Sequence, residues 1–201
     1  MDALNRVVVG FLLPPAIHPV VAALQTEIKR RGADSTFRGT PMSEMAVAVC
    51  TPGEVTPATL QRIVAAIRHV AAQTPVFAIT LGGLTGEPNA TQPRAAVLMI
   101  EGDGGKLEAL GNAILRTAMI TSDTDNGYKP RVELGRLKQL TEAGRTNLGR
   151  AIRMVAKPEA LSFPVAALEV LIAHASPAGP ELRVFERIPL SEGGVVPPPV
   201  M

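Results

Sequence analysis

A chain of 201 residues, 46% hydrophobic and 19% charged, suits one globular domain with a substantial core. Aromatics make up 3% with no tryptophan, which argues against the stacking platforms that bind single-stranded nucleic acid and leaves aliphatic residues and methionine to fill the core. A net charge of +2 with no Lys/Arg run admits an anionic ligand but no polyanion-binding tail, and one cysteine, Cys50, rules out an internal disulfide.

Arg6 to Leu13 (RVVVGFLL) reads as a buried strand. Pro14-Pro15 closes it too early for a membrane span, and Asp2 does not suit a signal peptide, so a cytoplasmic protein off the membrane is expected. Ala16 to Arg31 follows as a helix, with Val20, Val21, Leu24 and Ile28 at helical spacing and Gly32 as its stop. Asp34 to Pro41 reads as a polar connector. Met45 to Cys50 is a short apolar strand that Thr51-Pro52-Gly53 turns, and Thr56-Pro57 opens a second helix as N-cap and first helical residue. Val76 to Leu81 is a strand and Gly82 to Pro93 a turn-rich loop.

Ala95 to Ile100 is another strand, running into the glycine cluster Glu101 to Gly105. That cluster matches neither phosphate-loop nor dinucleotide fingerprints and reads as a turn. A helix from Lys106 to about Met119 follows, then a polar loop to Gly127. Glu142 to about Val155 is the last helix. Ser162 to Ser176 carries a long strand, and Leu182 to Ile188 its hairpin partner. Residues 1–190 thus form one domain and 191–201 a Pro-rich tail. Strands alternating with helices twice over predict an α+β domain of two lobes, each a sheet with helices packed outside.

The stretch with most chemistry is Tyr128 to Leu137 (YKPRVELGRL), read as a strand in which Arg131 and Glu133 share one face. A same-face ion pair on a half-exposed strand explains these two residues as readily as a binding site does. Arg136 falls out of phase and is expected to point away from them. Tyr128 and Lys129 are placed at the strand's mouth.

This stretch resembles the second signature strand of the 2H phosphoesterase superfamily (2′-5′ RNA ligases and cyclic phosphodiesterases), in which histidine-x-threonine follows a proline. Pro130, Val132, Leu134 and Arg136 fit, while Arg131 stands at the histidine and Glu133 at the threonine. The opening strand with its double proline, the Pro75 to Gly83 segment, the Pro93 to Ile100 segment and the ending from Leu168 to Leu190 are similar to the family in order and spacing. The resemblance implies a bilobal α+β fold, two pseudo-symmetric antiparallel-sheet lobes with outer helices around a central groove. It also places Ala46 and Ala48 at the first histidine-x-threonine pair.

In the family the two histidines act as general base and general acid on a phosphodiester, a task that suits a pKa near neutrality. Alanine moves no proton, and arginine stays charged at physiological pH. The resemblance therefore implies a degenerate groove that binds a nucleotide, cyclic nucleotide or RNA end, with Arg131, Glu133, Ala46, Ala48, Arg136, His174 and Tyr128 as ligand-binding residues. His174 enters as the start of a His-x-Ser sequence with Ser176, which reads more simply as coincidence. No metal or cofactor is expected. Two alternatives stay open: an active 2′,3′-cyclic phosphodiesterase or 2′-5′ RNA ligase with other catalytic groups, and a protein-interaction module.

Overall fold

The first strand, β1 (Asn5–Leu12), divides its side chains by simple alternation. Val7, Val9 and Phe11 enter the core, while Arg6, Val8, Gly10 and Leu12 take the other face. The computed structural model of the protein describes residues 4–102, 104–120, 129–176 and 179–192. A 3₁₀ turn opened by the prolines leads into α1 (His18–Ile28), whose buried stripe is Val21, Leu24 and Ile28. A wide turn ends it at Gly32, whose φ of 110° is the left-handed conformation expected of a helix stop.

The elements that follow are β2 (Phe37–Gly39), β3 (Ala46–Val55), α2 (Pro57–Ala71), β4 (Phe77–Glu87), β5 (Ala95–Glu101) and α3 (Gly104–Ala118). After them come β6 (Arg131–Leu137), α4 (Glu142–Met154), β7 (Leu161–Val165), β8 (Ala167–Ser176) and β9 (Gly179–Pro189). Helix α2 starts as its sequence predicts, with Thr56 Oγ1 accepting from the Thr59 N–H at 3.2 Å and Pro57 in the first turn. Thr141 caps α4 in the same way through the Gly144 N–H.

Two antiparallel sheets result, ordered β3-β1-β8-β9 and β2-β6-β5-β4-β7. Helices α2 and α3 cover the outer face of the first sheet, α1 and α4 that of the second. Their apolar stripes and the inward strand faces form one continuous core. This is the bilobal α+β architecture expected.

Several local expectations are corrected. The supposed connector after α1 contains β2, which three residues suffice to form because Phe37 is driven into the core (1% exposed) and so anchors the strand at the sheet edge. β3 does not turn at Thr51-Pro52-Gly53; pairing with β1 carries it on to Val55. β4 likewise runs through its glycines to Glu87, a bulge at Gly83 (φ 34°) absorbing the irregularity. The single late strand is two. β7 joins the second sheet beside β4 while β8 joins the first beside β1, and Ala166 is the crossing point between lobes. Each lobe therefore mixes early and late segments instead of containing one half of the chain. Ser191, the first residue of the expected tail, still hydrogen-bonds to Ala71, Thr74 and Val76, and residues 193–201 lie outside those described.

Candidate functional site

The two sheets face each other across an open groove with a hollow of about 400 Å³. Val8, Ala46, Ala173 and Leu182 give it an apolar floor, supplied by β1, β3, β8 and β9. Its polar rim carries Arg6 from β1, Arg38 from β2, Glu44 from the turn before β3, and Glu133 and Arg136 from β6. The pleat of each strand puts these residues on the groove side and their neighbours Val7, Phe37, Met45 and Val132 into the core.

The rim between β2 and β6 is braced from behind. Gln25 of α1 donates from its amide to the carbonyls of Thr40 and Leu134, both at 2.8 Å, and the Thr40 N–H also donates to Leu134 at 3.0 Å. Beyond Thr40 a short turn carries Glu44, and the chain re-enters the core at fully buried Met45. A polar wall held by three hydrogen bonds and a buried anchor is a rigid support for groups facing a ligand.

A bulge in β6 decides where Arg136 goes. Ala96 pairs with Gly135, but the next residue, Val97, pairs with Glu133, so Leu134 is the extra residue in the ladder. The alternation slips by one, Leu134 and Leu137 both point inward, and Arg136 turns to the face of Glu133. Its guanidinium grips that carboxylate at both ends, Nε to Oε1 at 2.7 Å and Nη2 to Oε2 at 2.9 Å. The Glu133 hydrogen bonds hold Arg136 more firmly in its charged form than usual, and the charge of Glu44 adds to this. The sequence expectation that Arg136 faces away is overturned by this one inserted residue.

Arg131 and Glu133 are on the same face as expected, but they are not partners. Arg131 pairs with Glu87 at 2.5 Å and donates to the Lys129 carbonyl at 2.9 Å. It occupies a second hollow of about 380 Å³, bounded by Thr85, Asn89, Val97, Met99 and Lys129. Ala46 lines the groove, and Ala48 lies on the same face of β3 opposite Gly10.

His174 is exposed and alternates with Ala173, so it takes the face of β8 opposite the groove, with Val170 and Ile172. Tyr128 lies outside the described residues. The other histidines are also elsewhere: His18 meets the Leu13 carbonyl and His69 the Gln73 amide. Among the described residues no cluster of three His, Cys, Asp or Glu is placed to hold a metal, and no helix is long and apolar enough to cross a membrane.

Sequence reasoning did not single out Arg6, Arg38 or Glu44. Each sits at a strand edge or in a connector with no motif around it. It also passed over Glu169, which is 7% exposed beneath the groove face of β8. Its Oε2 accepts the Leu12 N–H at 2.9 Å, and Arg187 approaches at 3.8 Å. A carboxylate in the midst of the apolar run Ala167 to Ala173 was a visible sign that one side of this strand is not ordinary core.

Two antiparallel sheets with outer helices, closed on a shared groove, define the LigT-like 2H phosphoesterase fold, and the chain has that fold. By sequence it matches no family model and no curated protein. Among solved structures it is similar to TT0787 of Thermus thermophilus, at 20% identity and a TM-score of 0.72 over 94% of this chain and 100% of that one. E. coli LigT complexed with 3′-AMP is similar at 14% identity and a TM-score of 0.74, over 94% and 99% of the two chains. The MHV ns2 PDE domain is similar at 15% identity and a TM-score of 0.55, over 85% and 99%.

Proposed function

We propose that the protein binds a nucleotide or related phosphate-bearing anion in its central groove and does not cleave it. One observation carries the binding half. Arg38 and Arg136 lie directly opposite each other on adjacent strands, and both line the groove. Like charges placed this way repel. Glu133 compensates Arg136, whereas no ion pair forms to Arg38, nor to Arg6, among the described residues. An anion seated between these guanidinium groups removes the repulsion and gains charge-assisted hydrogen bonds. The structures of LigT with 3′-AMP, ATP and NADP+ support such a ligand for this fold.

The non-catalytic half follows from what lines the groove. Cleaving a phosphodiester needs one group to take a proton and another to give one. A guanidinium does neither at physiological pH, and Ala46 offers nothing. Both oxygens of Glu133 are engaged by Arg136 and none of the chain's histidines lines the groove, so Glu44 is left as a single proton-transfer group where two are needed.

The test is a paired assay on purified protein. One arm measures thermal stabilisation by 3′-AMP, other nucleotides and cyclic dinucleotides, which binding to the native state must produce. The other looks for turnover of 2′,3′-cyclic nucleotides and 2′-5′-linked RNA. Stabilisation that is lost in Arg38→Ala, with no turnover, is the expected result. Turnover abolished by Glu133→Gln would replace this function with that of an active phosphodiesterase.

A further inference from the structure

Of the two carboxylates lining the groove among the described residues, Glu133 has both oxygens occupied by Arg136. Glu44 is different: among the described residues its side chain forms no hydrogen bond and no ion pair. It is half-buried, which removes part of its hydration, and in return it feels the charge of Arg136 without a direct contact to it. Its position is also well defined. The Glu44 N–H donates to Pro41 at 3.0 Å, the segment is pinned at Thr40 by Gln25 and Leu134, and the following residue, Met45, is fully buried with its carbonyl accepting the Leu13 N–H at 3.0 Å. A fixed, partly desolvated carboxylate beside a small apolar floor is an acceptor pair waiting for two donors.

We propose that Glu44 reads a guanine base, which makes the groove selective for guanosine nucleotides with their phosphate on Arg38 and Arg6. It rests on the nucleotide-binding function above and names the ligand class within it. Guanine presents N1–H and N2–H side by side on one edge, two parallel donors that match the two oxygens of a carboxylate. Adenine presents N1 as an acceptor on the same edge, whose lone pair faces the carboxylate charge. Hypoxanthine keeps N1–H and lacks the N2 amino group. Cytosine and uracil each present a single donor group on that edge, next to acceptors. Ala46 and Val8 offer the ring flat apolar contact, and the rest of the rim supplies positive charge for the phosphate. A site that hydrogen-bonds a ligand's donors rejects the analogue lacking them, because its own polar group is then left unpaired.

The experiment is titration calorimetry of the full chain with 3′-GMP, 3′-IMP, 3′-AMP and inorganic phosphate. The expected order is GMP, then IMP, then AMP, with GMP tighter than AMP by roughly tenfold to a hundredfold, the range of one to two charge-assisted hydrogen bonds. Glu44→Gln weakens GMP selectively, while AMP and phosphate are unchanged or tighten because a negative charge has left the rim. Wild-type affinities for the three nucleotides within about threefold, or a Glu44→Gln variant that weakens all of them equally, overturn guanine recognition and leave nucleotide binding intact. Absence of binding by every nucleotide removes both proposals together.

Discussion

Replacing Arg38 by alanine separates a residue placed for a ligand from one placed for stability. In the unliganded protein Arg38 is exposed and stands across from Arg136, with no carboxylate paired to its head among the described residues. Directly opposed like charges cost about 0.2–1 kcal/mol in a sheet, and screening at these exposed positions keeps the figure near the lower half of that range. Alanine has lower β propensity and returns a few tenths of this gain. The melting temperature of the apo protein is therefore expected to stay level or rise by about 1 °C, at roughly 2–4 °C per kcal/mol for a chain of this length. The same substitution removes a charge-assisted contact worth about 1.5–3 kcal/mol to a phosphate, so the Kd rises about tenfold to a hundredfold. Thermal unfolding with and without nucleotide, at low salt and at about 0.5 M salt, reads both effects, and the wild-type ligand shift should shrink as salt rises. A drop of more than about 3 °C in the apo protein, with ligand affinity unchanged, would refute the reasoning and make Arg38 a structural residue.

Gly135→Ala tests the bulge behind that pair. A Cβ there collides with the Arg38 carbonyl and comes within 2.6 Å of the Phe37 ring and 2.8 Å of Gly39 Cα, at a φ of 155°. Overpacking of this kind costs about 1–3 kcal/mol; a melting temperature lowered by several degrees together with weakened nucleotide binding is expected, and an unchanged protein would show that β2 is not held where described. Burial pushes the Cys50 thiol up to about 12 from 9.0. Because the folded value is the higher, this stabilisation is complete below about pH 9 and is lost as pH rises toward 12, so Cys50→Ala should flatten the alkaline arm of the stability–pH curve. A thiol reagent at about pH 8 should react with Cys50 slowly in the native protein and quickly in urea. Hydrogen bonds from Arg30 and Arg31 hold Glu27 down at about 2 against 4.5. Here the stabilisation is present above about pH 4.5 and lost as pH falls toward 2, so the melting-temperature gap between wild type and Glu27→Gln should close over that window.

The fold was legible wherever a local pattern carried its own physics. Thr56-Pro57 announced α2, Gly32 ended α1, and Val7, Val9 and Phe11 marked the buried face of β1. What misled was information held in partners. Gly82 and Gly83 look like a turn until β5 is laid beside them, and Phe163 and Val170 look like one strand until each is paired with a different sheet. The strand Arg131 to Leu137 is plain in the sequence, but the inserted Leu134 is visible only in its register against β5, so alternation alone puts Arg136 on the wrong side. The Arg131–Glu87 pair joins strands flanking β5, beyond the reach of any spacing rule.

The location of the unmatched charge bears on function more than any single sequence motif does. Arg131 is neutralised in its own hollow by Glu87, and Glu133 is neutralised by Arg136. Neither needs a ligand to satisfy it. Arg6, Arg38 and Glu44 make no direct ion pair among the described residues, and they come from three different segments, the β2 side of the groove being held against β6 by Gln25, Thr40 and Phe37. Two cations and one carboxylate, with no direct ion pair among the described residues, surround a small apolar floor. They match a molecule with an anionic end and a donor-bearing flat end. A protein-interaction surface on this face would instead need a broad apolar centre, and the floor here is limited to Val8, Ala46, Ala173 and Leu182. The charge pattern therefore favours a small nucleotide-like ligand over a protein partner. Exchanging Arg6 and Glu44 together for apolar residues should weaken nucleotide binding by about tenfold or more while leaving the stability of the empty protein level or higher.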